Sequence, residues 1–268
     1  MDEFEKYLTG WALTADGEPF FTPSSKLLPV RYQHLPCMLK IAVSSEERTG
    51  GQLMVWWNGD AAARVLAHDD HALLLERATG KNSLTTMAKN NQDDQATTII
   101  CAVVTKLHAH TNTCLPPPLV PLYHWFKTLD DAAQYNSVLR QAAITASKLL
   151  HSPEQNVILH GDIHHANILD FGVRGWLAID AKGLLGERGF DFANIVCNPD
   201  AATATKPSRL EQQISIVANA ANLDYHRLMK WILAYAGLSA AWHFEDGTNP
   251  ELALSIVRLA SSALNMAP

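Results

Sequence analysis

The chain has 268 residues, which is enough to bury a sizeable hydrophobic core as one large domain or two smaller ones. Hydrophobic residues make up 47% and charged residues 18%, and this composition excludes a mainly disordered chain. The net charge of -6 argues against a nucleic-acid-binding protein, because phosphate contacts require clustered Lys and Arg side chains. The acidic balance favours a small cationic partner, although acidity is also an ordinary source of solubility.

The chain shows neither a secretion signal nor a membrane span. Its first residues, MDEFEKYLTG, are acidic where a signal peptide is basic. The longest mostly apolar stretch, residues 231–242, is shorter than the roughly 20 residues of a membrane-spanning helix. The four cysteines lack the short paired spacing that binds zinc or performs redox chemistry. We therefore expect a cytoplasmic monomer with reduced cysteines and with no membrane or nucleic-acid partner.

The N-terminal third of the chain is predicted to form a small antiparallel sheet with one helix. Residues 11–43 contain short apolar runs that Gly, Pro and Ser interrupt, as in β-hairpins. Residues 44–57 have helical periodicity, and Ser44 and Glu47 have the spacing of a capping box at the start. The run ALLLERA, residues 72–78, indicates a buried strand that leads into a linker. These features predict an N-terminal lobe over residues 1–78.

Residues 79–268 are predicted to form a larger, mostly helical lobe. Apolar side chains recur every three or four residues over 96–107 and 135–149, and PPPLVP at 116–121 forms a loop between these helices. Short strands between residues 157 and 179 precede further helices at 208–221, 224–243 and 250–264. The expected fold class is therefore α+β, with a cleft between two lobes that should hold the chemistry.

The segment VILHGDIHHANIL contains the residues that phosphoryl transfer requires. Such a reaction needs a carboxylate to position the acceptor hydroxyl, metal ions for the developing charge and a cation for the phosphates. Asp162 follows His160 by two residues and precedes Asn167 by five, which is the spacing of a kinase catalytic loop. Asp162 is predicted to accept or orient the hydroxyl proton, and the amide oxygen of Asn167 to bind Mg²⁺. A buried strand with a polar turn would explain these residue types but not their order.

Asp180 supplies the third part of the predicted site. It ends the short strand GWLAID, thirteen residues after Asn167, and the turn before that strand contains Gly172 and Gly175. A carboxylate at this position can face the catalytic loop and bind Mg²⁺. The sequence therefore predicts a magnesium-dependent kinase that phosphorylates a small molecule with a nucleoside triphosphate.

Three histidines of the same segment are assigned supporting roles. His160 is predicted to anchor the loop through backbone hydrogen bonds rather than to act as a base. His164 and His165 are adjacent and point in different directions, and Mg²⁺ prefers oxygen ligands. We therefore interpret both as loop scaffolding or as polar groups on the substrate side, with metal ligation as the alternative.

The segments HGDIHHANIL and WLAIDAKGLLGERGFDFAN together resemble the aminoglycoside phosphotransferase family, which has a bilobal protein-kinase-like fold. IDAKGLLGE, VWWNG at 55–59 and LSAAW at 238–242 resemble its streptomycin 6-phosphotransferase and hydroxyurea phosphotransferase subgroup. The resemblance implies transfer of the γ-phosphate of ATP or GTP, with Mg²⁺, to a hydroxyl of an aminoglycoside, above all streptomycin, as a means of antibiotic resistance. The alternatives are a kinase of another small metabolite, such as an amino sugar, a choline-like alcohol or hydroxyurea, and a nucleotide-binding pseudokinase.

The resemblance also implies positions in the nucleotide site. Lys40, in CMLKIAV, occupies the place of the lysine that contacts the α and β phosphates in such kinases. Glu47 is its expected partner, unless the carboxylate instead completes the capping box with Ser44; we treat these two roles as exclusive. Ser24 and Ser25 occupy the place of the phosphate-covering loop, where no GxGxxG pattern is present.

Residues 76–78 would be the hinge whose backbone binds the purine, so Glu76 and Ala78 are included in the expected nucleotide site. After Asp180, Lys182 either approaches the phosphates or is solvated like most loop lysines. Asp191, in GFDFAN, is expected to support the catalytic loop through hydrogen bonds, with a helix cap as the alternative.

The acceptor site is the least constrained part of the sequence. A small cationic, hydroxylated acceptor needs carboxylates around the cleft, and Asp200, Glu245 and Asp246 are the candidates. Trp242 is a candidate for stacking on the acceptor. Its spacing from Trp231 equally fits two side chains that share a core face of one helix.

Overall fold

A computed structural model describes residues 2–266 of the chain, and its N-terminal part is built around an antiparallel sheet. The elements in chain order are α1 (Asp2–Gly10), β1 (Thr14–Ala15), β2 (Phe20–Phe21), β3 (Ser25–Tyr32), β4 (Leu35–Ala42), α2 (Ser45–Trp57), β5 (Val65–His68) and β6 (Ala72–Glu76). The strands form one sheet in the order β1-β3-β4-β6-β5, and β2 pairs with β3. All of these pairings are antiparallel.

Alternation along β4 decides which side chains reach the cleft. Cys37, Leu39 and Ile41 are buried on one face of the sheet, in a small core that includes Phe4 of α1. Because successive strand residues point to opposite faces, Lys40 lies on the other face. The N-terminal helix α1, which the sequence pattern did not indicate, therefore covers the side of the sheet opposite to the lysine.

The C-terminal part is mostly helical. Its elements are α3 (Leu84–Lys89), α4 (Asp93–Ala109), β7 (Val120–Pro121), α5 (Lys127–Tyr135), α6 (Arg140–His151), β8 (Asn156–Leu159), β9 (Ile168–Asp170), β10 (Trp176–Ala178), β11 (Leu184–Glu187), α7 (Gly189–Ala193), α8 (Ala201–Ala204), α9 (Arg209–Ala221), α10 (Tyr225–Glu245) and α11 (Glu251–Met266). Strands β9 and β10 form an antiparallel hairpin, and β11 lies between β7 and β8. The helix α10 is buried along most of its length. None of the helices in the described part of the chain is long and apolar enough to span a membrane.

The antiparallel sheet followed by a helical part confirms the predicted α+β class, and most predicted helices are present. The helix predicted over 135–149 is wrong at its start, because α5 ends at Tyr135 and α6 begins only at Arg140. Between them the Asn136 side chain accepts a hydrogen bond from Val138 N at 3.1 Å. A side chain that bonds the backbone in this way competes with helical hydrogen bonds and interrupts the helix. Tyr135 and Val138, which were expected on the apolar face of one continuous helix, are exposed.

Helix α2 joins the two parts of the molecule. Its residues Leu53, Met54 and Trp57 belong to the large core of the helical part rather than to the small core of the sheet. At Gly50 a Cβ atom would collide with the carbonyl oxygen of Ala181, so the helix backbone lies directly on the segment after β10. The boundary at residue 78 between two lobes stays a prediction.

Candidate active site

The loop between β8 and β9 is held in place by a buried histidine. The imidazole of His160 lies near the backbone of Ile179, with Nε2 2.8 Å from the carbonyl oxygen, and its Nδ1 accepts a hydrogen bond from Asp162 N at 3.2 Å. Burial lowers the pKa of His160, which favours the neutral ring. Gly161 has φ +90°, a conformation that favours glycine, and this allows the sharp turn into the loop. The geometry agrees with an anchoring role for His160.

Asp191, on α7, supports the same loop through its carboxylate. Its Oδ2 accepts a hydrogen bond from His160 N at 2.9 Å and its Oδ1 accepts one from Gly161 N at 2.8 Å. The Nε2 of His108 lies 2.8 Å from Oδ2. The carboxylate is fully buried and is used by the loop, and it does not cap the start of α7.

Asp162 is oriented by two amide side chains. Asn194 Nδ2 donates to its Oδ1 at 3.2 Å, and Asn167 Nδ2 donates to its Oδ2 at 3.1 Å. Burial raises the pKa of Asp162, but the surrounding groups, foremost His164, whose Nε2 lies 3.7 Å from Oδ2, and then His160 and Lys182, outweigh it and lower the pKa. The carboxylate is thus ionised and fixed. Asn194 was not predicted from the sequence, although it is the last residue of the segment GFDFAN that contains Asp191.

Asn167 and Asp180 lie on two segments that are hydrogen-bonded to each other. The backbone oxygen of Asn167 accepts a hydrogen bond from Ile179 N at 2.9 Å, which joins the two segments. Asp180 follows β10 with φ +65°, a left-handed conformation. Burial raises the pKa of Asp180, but the charges of Lys40 and Lys182 outweigh it and lower it to about 2. The carboxylate is therefore available as an anion for a metal ion.

The donor set at this point fits Mg²⁺. The amide nitrogen of Asn167 is used by Asp162, and its oxygen has no hydrogen-bond donor among the described residues. Within residues 2–266 there is no cluster of three or more His, Cys, Asp or Glu side chains suited to a metal. Two protein oxygens, from Asn167 and Asp180, would therefore be completed by phosphate and water oxygens, which is how proteins usually bind Mg²⁺.

The Glu47 carboxylate pairs with two lysines, including its expected partner Lys40, and only the expectation that pairing and helix capping exclude each other was wrong. Its backbone N–H donates to Ser44 Oγ at 3.2 Å, which caps α2, while its carboxylate forms ion pairs with Lys40 and Lys182. Backbone and side chain serve different partners, so the two roles do not compete. Lys182 is buried rather than solvated, and although burial lowers its pKa, Asp180 and Glu47 raise it above the ordinary value.

A cavity of about 370 Å³ lies between the sheet and the hairpin β9–β10. Lys40 and Asp180 line one end, Met38, Leu75 and Phe171 give an apolar middle, and residues 76–78 line the wall. The Glu76 carboxylate is not free for a ligand, because it accepts a hydrogen bond from Arg64 N at 2.6 Å and pairs with Arg174.

The other residues expected in the nucleotide site differ in whether they are available to a ligand. Among the described residues no group hydrogen-bonds the backbone N–H or C=O of Ala78, so both can serve a ligand. Ser25 lines the cavity, but its hydroxyl donates to Glu47 Oε2 at 3.0 Å. Ser24 does not line the cavity.

A second cavity, of about 530 Å³, opens on the other side of the catalytic loop. Asp162 and Lys182 lie on its wall, and aromatic side chains surround it. Its lining residues are Glu46, His124, Trp125, Thr128, Gly161, Asp162, Lys182, Tyr235 and Trp242. The rings of Trp125 and Trp242 meet edge to face with centroids 5.2 Å apart. Of the expected acceptor residues, Trp242 is present here, and Glu46, Trp125 and Tyr235 were missed because they come from separate segments.

The three carboxylates expected at the acceptor site do not line this cavity. Asp200 caps α8 through Thr203 N at 2.9 Å and pairs with Lys89 at 2.8 Å, so its charge is used locally. Glu245 and Asp246 are exposed at the C-terminal end of α10. Trp231 is fully buried and donates to Glu187 Oε1 at 2.6 Å, so it does not share the exposure of Trp242.

Comparison with known proteins identifies the family of this chain. The family model described as aminoglycoside/hydroxyurea antibiotic resistance kinase matches residues 10–247. A streptomycin 3''-kinase of Klebsiella pneumoniae is 48% identical over 242 residues, which cover 88% of this chain and 91% of that protein. A streptomycin 6-kinase of Streptomyces griseus is 29% identical over 254 residues, which cover 88% of this chain and 80% of that protein.

The fold is also that of solved small-molecule kinases. The structure of the amicoumacin kinase hAmiN, in complex with AMP-PNP, Ca²⁺ and Ami, has a TM-score of 0.68 at 14% identity, with 100% of this chain and 95% of that chain covered. The protein-kinase-like fold expected from the sequence is thereby confirmed. Because the family match spans most of the chain, this protein belongs to the aminoglycoside/hydroxyurea antibiotic resistance kinase family.

Proposed function

We propose that this protein transfers the γ-phosphate of ATP, with Mg²⁺, to a hydroxyl of streptomycin and so inactivates the antibiotic. One observation carries the proposal: the first cavity and the second are lined by two residues, Asp180 and Lys182, whose side chains pair with each other. Asp180 and Lys40 line the first cavity, whereas Asp162 and Lys182 line the second, and Lys182 Nζ is only 3.6 Å from Asp180 Oδ2. A nucleotide in the first cavity and an acceptor in the second would place phosphate and hydroxyl side by side.

The residues of the chain have distinct tasks in this reaction. Asp162, held by Asn194 and Asn167, orients the acceptor hydroxyl and accepts its proton. Lys40 binds the nucleotide phosphates, and the backbone of Ala78 binds the base. Asn167 and Asp180 would hold Mg²⁺, which supplies positive charge against the phosphate oxygens. Because ATP is the donor, we place the activity in the cytoplasm.

The second cavity suits a cationic acceptor. Asp162 and Glu46 provide carboxylates, and Trp125, Tyr235 and Trp242 provide aromatic rings. Carboxylates bind guanidinium and ammonium groups through charge-assisted hydrogen bonds, and aromatic faces attract the same cations. Streptomycin carries both guanidinium groups and hydroxyls, whereas hydroxyurea is neutral and much smaller than the cavity.

The hydroxyl that is modified is proposed from the relatives. The subgroup resemblance of the sequence favours the 6 position, and the relative at 29% identity is a streptomycin 6-kinase. The relative at 48% identity is a streptomycin 3''-kinase. Identity of that level over 91% of the relative extends to the acceptor side of the fold, so we propose the 3'' hydroxyl.

The test is ADP release by the purified protein with ATP, Mg²⁺ and either streptomycin, kanamycin or hydroxyurea. We expect turnover with streptomycin alone, and phosphorus–proton correlation NMR of the product identifies the modified position. Asp162→Asn, assayed in parallel, excludes a contaminating kinase. Turnover with hydroxyurea or kanamycin but not with streptomycin would assign a different acceptor.

Expression in a streptomycin-sensitive bacterium gives an independent readout. The wild-type protein should raise the streptomycin concentration that stops growth, and Asp162→Asn at equal protein level should not. Turnover with an amino sugar or a choline-like alcohol, together with unchanged streptomycin sensitivity, would support the metabolite kinase instead.

A further inference from the structure

Lys182 has no role yet in binding the nucleotide or the acceptor, although it lies in the site. It lies after β10, and its backbone N–H donates to His160 O at 2.7 Å, so it is tied to the catalytic loop. Its side chain is buried, with a relative exposure of only 11%. A buried ammonium in such a position requires partners, because desolvation of a charge costs several kcal/mol.

Glu47 provides the principal partner and connects Lys182 to Lys40. Oε1 of Glu47 pairs with Lys182, while Oε2 pairs with Lys40 and accepts a hydrogen bond from Ser25 Oγ at 3.0 Å. Lys182 Nζ also lies 3.6 Å from Asp180 Oδ2. The two lysines thus share two carboxylates, those of Glu47 and Asp180, but they line different cavities.

The two cavities distinguish the lysines. Lys40 lines the cavity assigned to the nucleotide, and Lys182 lines the acceptor cavity together with Asp162. Among the described residues that line the acceptor cavity, Lys182 is the one Lys or Arg side chain. It is therefore the cation on the path between the phosphate end of the nucleotide and the hydroxyl that Asp162 orients.

The backbone around Lys182 packs tightly against helix α2, which restricts the direction of its side chain. Ala181 lies against Gly50 of α2, where a Cβ atom would not fit. Gly183 has φ +70°, and a Cβ there would lie 2.8 Å from the Thr49 side chain. Helix α2 and the segment 181–183 therefore form a close contact that fixes Glu47 and Lys182 relative to each other.

We propose that Lys182 is a catalytic residue whose ammonium binds the phosphoryl group during its transfer. This inference rests on the proposed function, which supplies donor and acceptor. In the step, the bond between the γ phosphorus and the oxygen bridging to the β phosphate breaks, and its electron pair leaves with ADP. A bond forms from the acceptor oxygen to the same phosphorus, and the hydroxyl proton passes to Asp162. One N–H of Lys182 stays on Glu47, and the other two donate to the equatorial oxygens, where charge spreads.

The alternative is that Lys182 only neutralises Glu47 and holds α2. The two roles differ in what they stabilise: a structural lysine supports the nucleotide site at all times, whereas a catalytic lysine acts when the phosphoryl group is in transit. The experiment therefore compares affinity for MgADP with affinity for MgADP plus fluoroaluminate, which mimics the planar phosphoryl group. Neither measurement needs an acceptor, so failure of the acceptor assignment and failure of this proposal are distinguishable.

The variants are Lys182→Met, Lys182→Arg and, as a matched control, Lys26→Met, which removes a half-buried lysine paired with Glu3 outside both cavities. We expect Lys182→Met to weaken the fluoroaluminate-dependent complex about 100-fold or more, and MgADP affinity less than about 3-fold. Lys182→Arg keeps the charge and should recover part of the loss. Lys26→Met should match the wild type.

Turnover provides the second readout. At saturating ATP, kcat for transfer to water or to streptomycin should fall about 100-fold or more in Lys182→Met, with KM for ATP within about 3-fold. Retention of kcat would overturn the proposal. Equal losses of MgADP affinity and of the fluoroaluminate complex, with a lower unfolding temperature, would also overturn it and assign Lys182 to structure alone.

Discussion

The carboxylates of the site have different partners, and the partners define their tasks. Asp162 is held by neutral amide donors from Asn167 and Asn194, which fix its orientation without neutralising it. Asp180 lies between two lysines, which keep it ionised but also compete for it. Asp162 can therefore act on a proton, whereas Asp180 can exchange ammonium partners for a metal ion.

Replacing Asp162 by Asn should remove turnover but not nucleotide binding. Asn has the same shape, but its amide nitrogen cannot accept, so it keeps only one of the hydrogen bonds from Asn167 and Asn194, and it cannot accept the hydroxyl proton. We expect kcat to fall by about 10²–10⁴-fold. Stopped-flow measurement of kcat and titration of AMP-PNP with Mg²⁺ check this prediction. An unchanged kcat would exclude Asp162 from the reaction.

Asp200 should prove structural rather than substrate-binding. Its carboxylate caps α8 and pairs with Lys89, so Asp200→Ala should lower the free energy of unfolding at pH 7 by about 1 kcal/mol. The KM for the acceptor should not change. Urea unfolding and steady-state kinetics test the two statements, and Asp200→Asn, which keeps a capping side chain, is the control for the charge.

The same residue has a defined pH dependence. The hydrogen bond from Lys89 and that from Thr203 N lower the pKa of Asp200 to about 2. Its folded pKa lies below the ordinary value of about 3.9, so its stabilisation is present above pH 4 and is lost as the pH falls toward 2. The stability difference between the wild type and Asp200→Ala should therefore decrease over this range. A constant difference would show that the carboxylate charge contributes nothing.

At the scale of elements, the position of α2 decides whether Glu47 can contact both Lys40 and Lys182. Glu47 of α2 binds Lys40 of β4 and Lys182 after β10, so three elements must meet at one carboxylate. The meeting depends on Gly50, because a side chain at that position would strike the Ala181 backbone. A helix that approaches this closely can transmit a small shift directly to both lysines.

Gly50→Ala should displace α2 and lower both stability and turnover. Alanine raises helix propensity by about 1 kcal/mol, so any loss must come from the contact with Ala181. We expect a net loss of about 2 kcal/mol or more of unfolding free energy, since backbone must move. The control is Gly51→Ala in the same helix, where a Cβ would meet only the flexible Leu73 side chain at 3.2 Å. Equal stability of the two variants in urea would contradict the prediction.

At the scale of the whole molecule, the cavity proposed for the nucleotide lies between the sheet and the helical part. Its walls come from β4, from residues 76–78 and from the hairpin β9–β10. A ligand in this cavity contacts both parts and binds the folded state alone, so it should raise the unfolding temperature according to its concentration and affinity. The monomeric state stays a prediction.

Binding of the nucleotide should depend on Mg²⁺ through Asp180. AMP-PNP with Mg²⁺ at about 100 times Kd should add about 2.7 kcal/mol to the unfolding free energy, and removal of the metal by EDTA should abolish most of this gain. Asp180→Asn should show a similarly small gain with and without EDTA. Differential scanning fluorimetry measures all four conditions. Metal-independent stabilisation of the wild type would contradict the assignment of Asp180.

Prediction from the sequence was most specific where the residues involved lie close together in the chain. His160, Asp162 and Asn167 belong to one loop, and Asp180 follows one hairpin, so their spacing alone indicates that they meet. The helical periodicity of α9, α10 and α11 likewise reports which faces are buried. Prediction from periodicity failed at Asn136, where a local side-chain hydrogen bond interrupts an otherwise helical pattern.

Taken by itself, the sequence determined the family and the α+β class, and it predicted the catalytic loop, because these depend on local order and periodicity. The tertiary structure alone showed that Glu47 serves Lys40 and Lys182 together, and that Lys182 is buried. It also assembled the acceptor cavity from Glu46 of α2, Trp125 and the distant helix α10. Such contacts join residues far apart in the chain, and they arise from how whole elements pack, for which no short segment carries a signal.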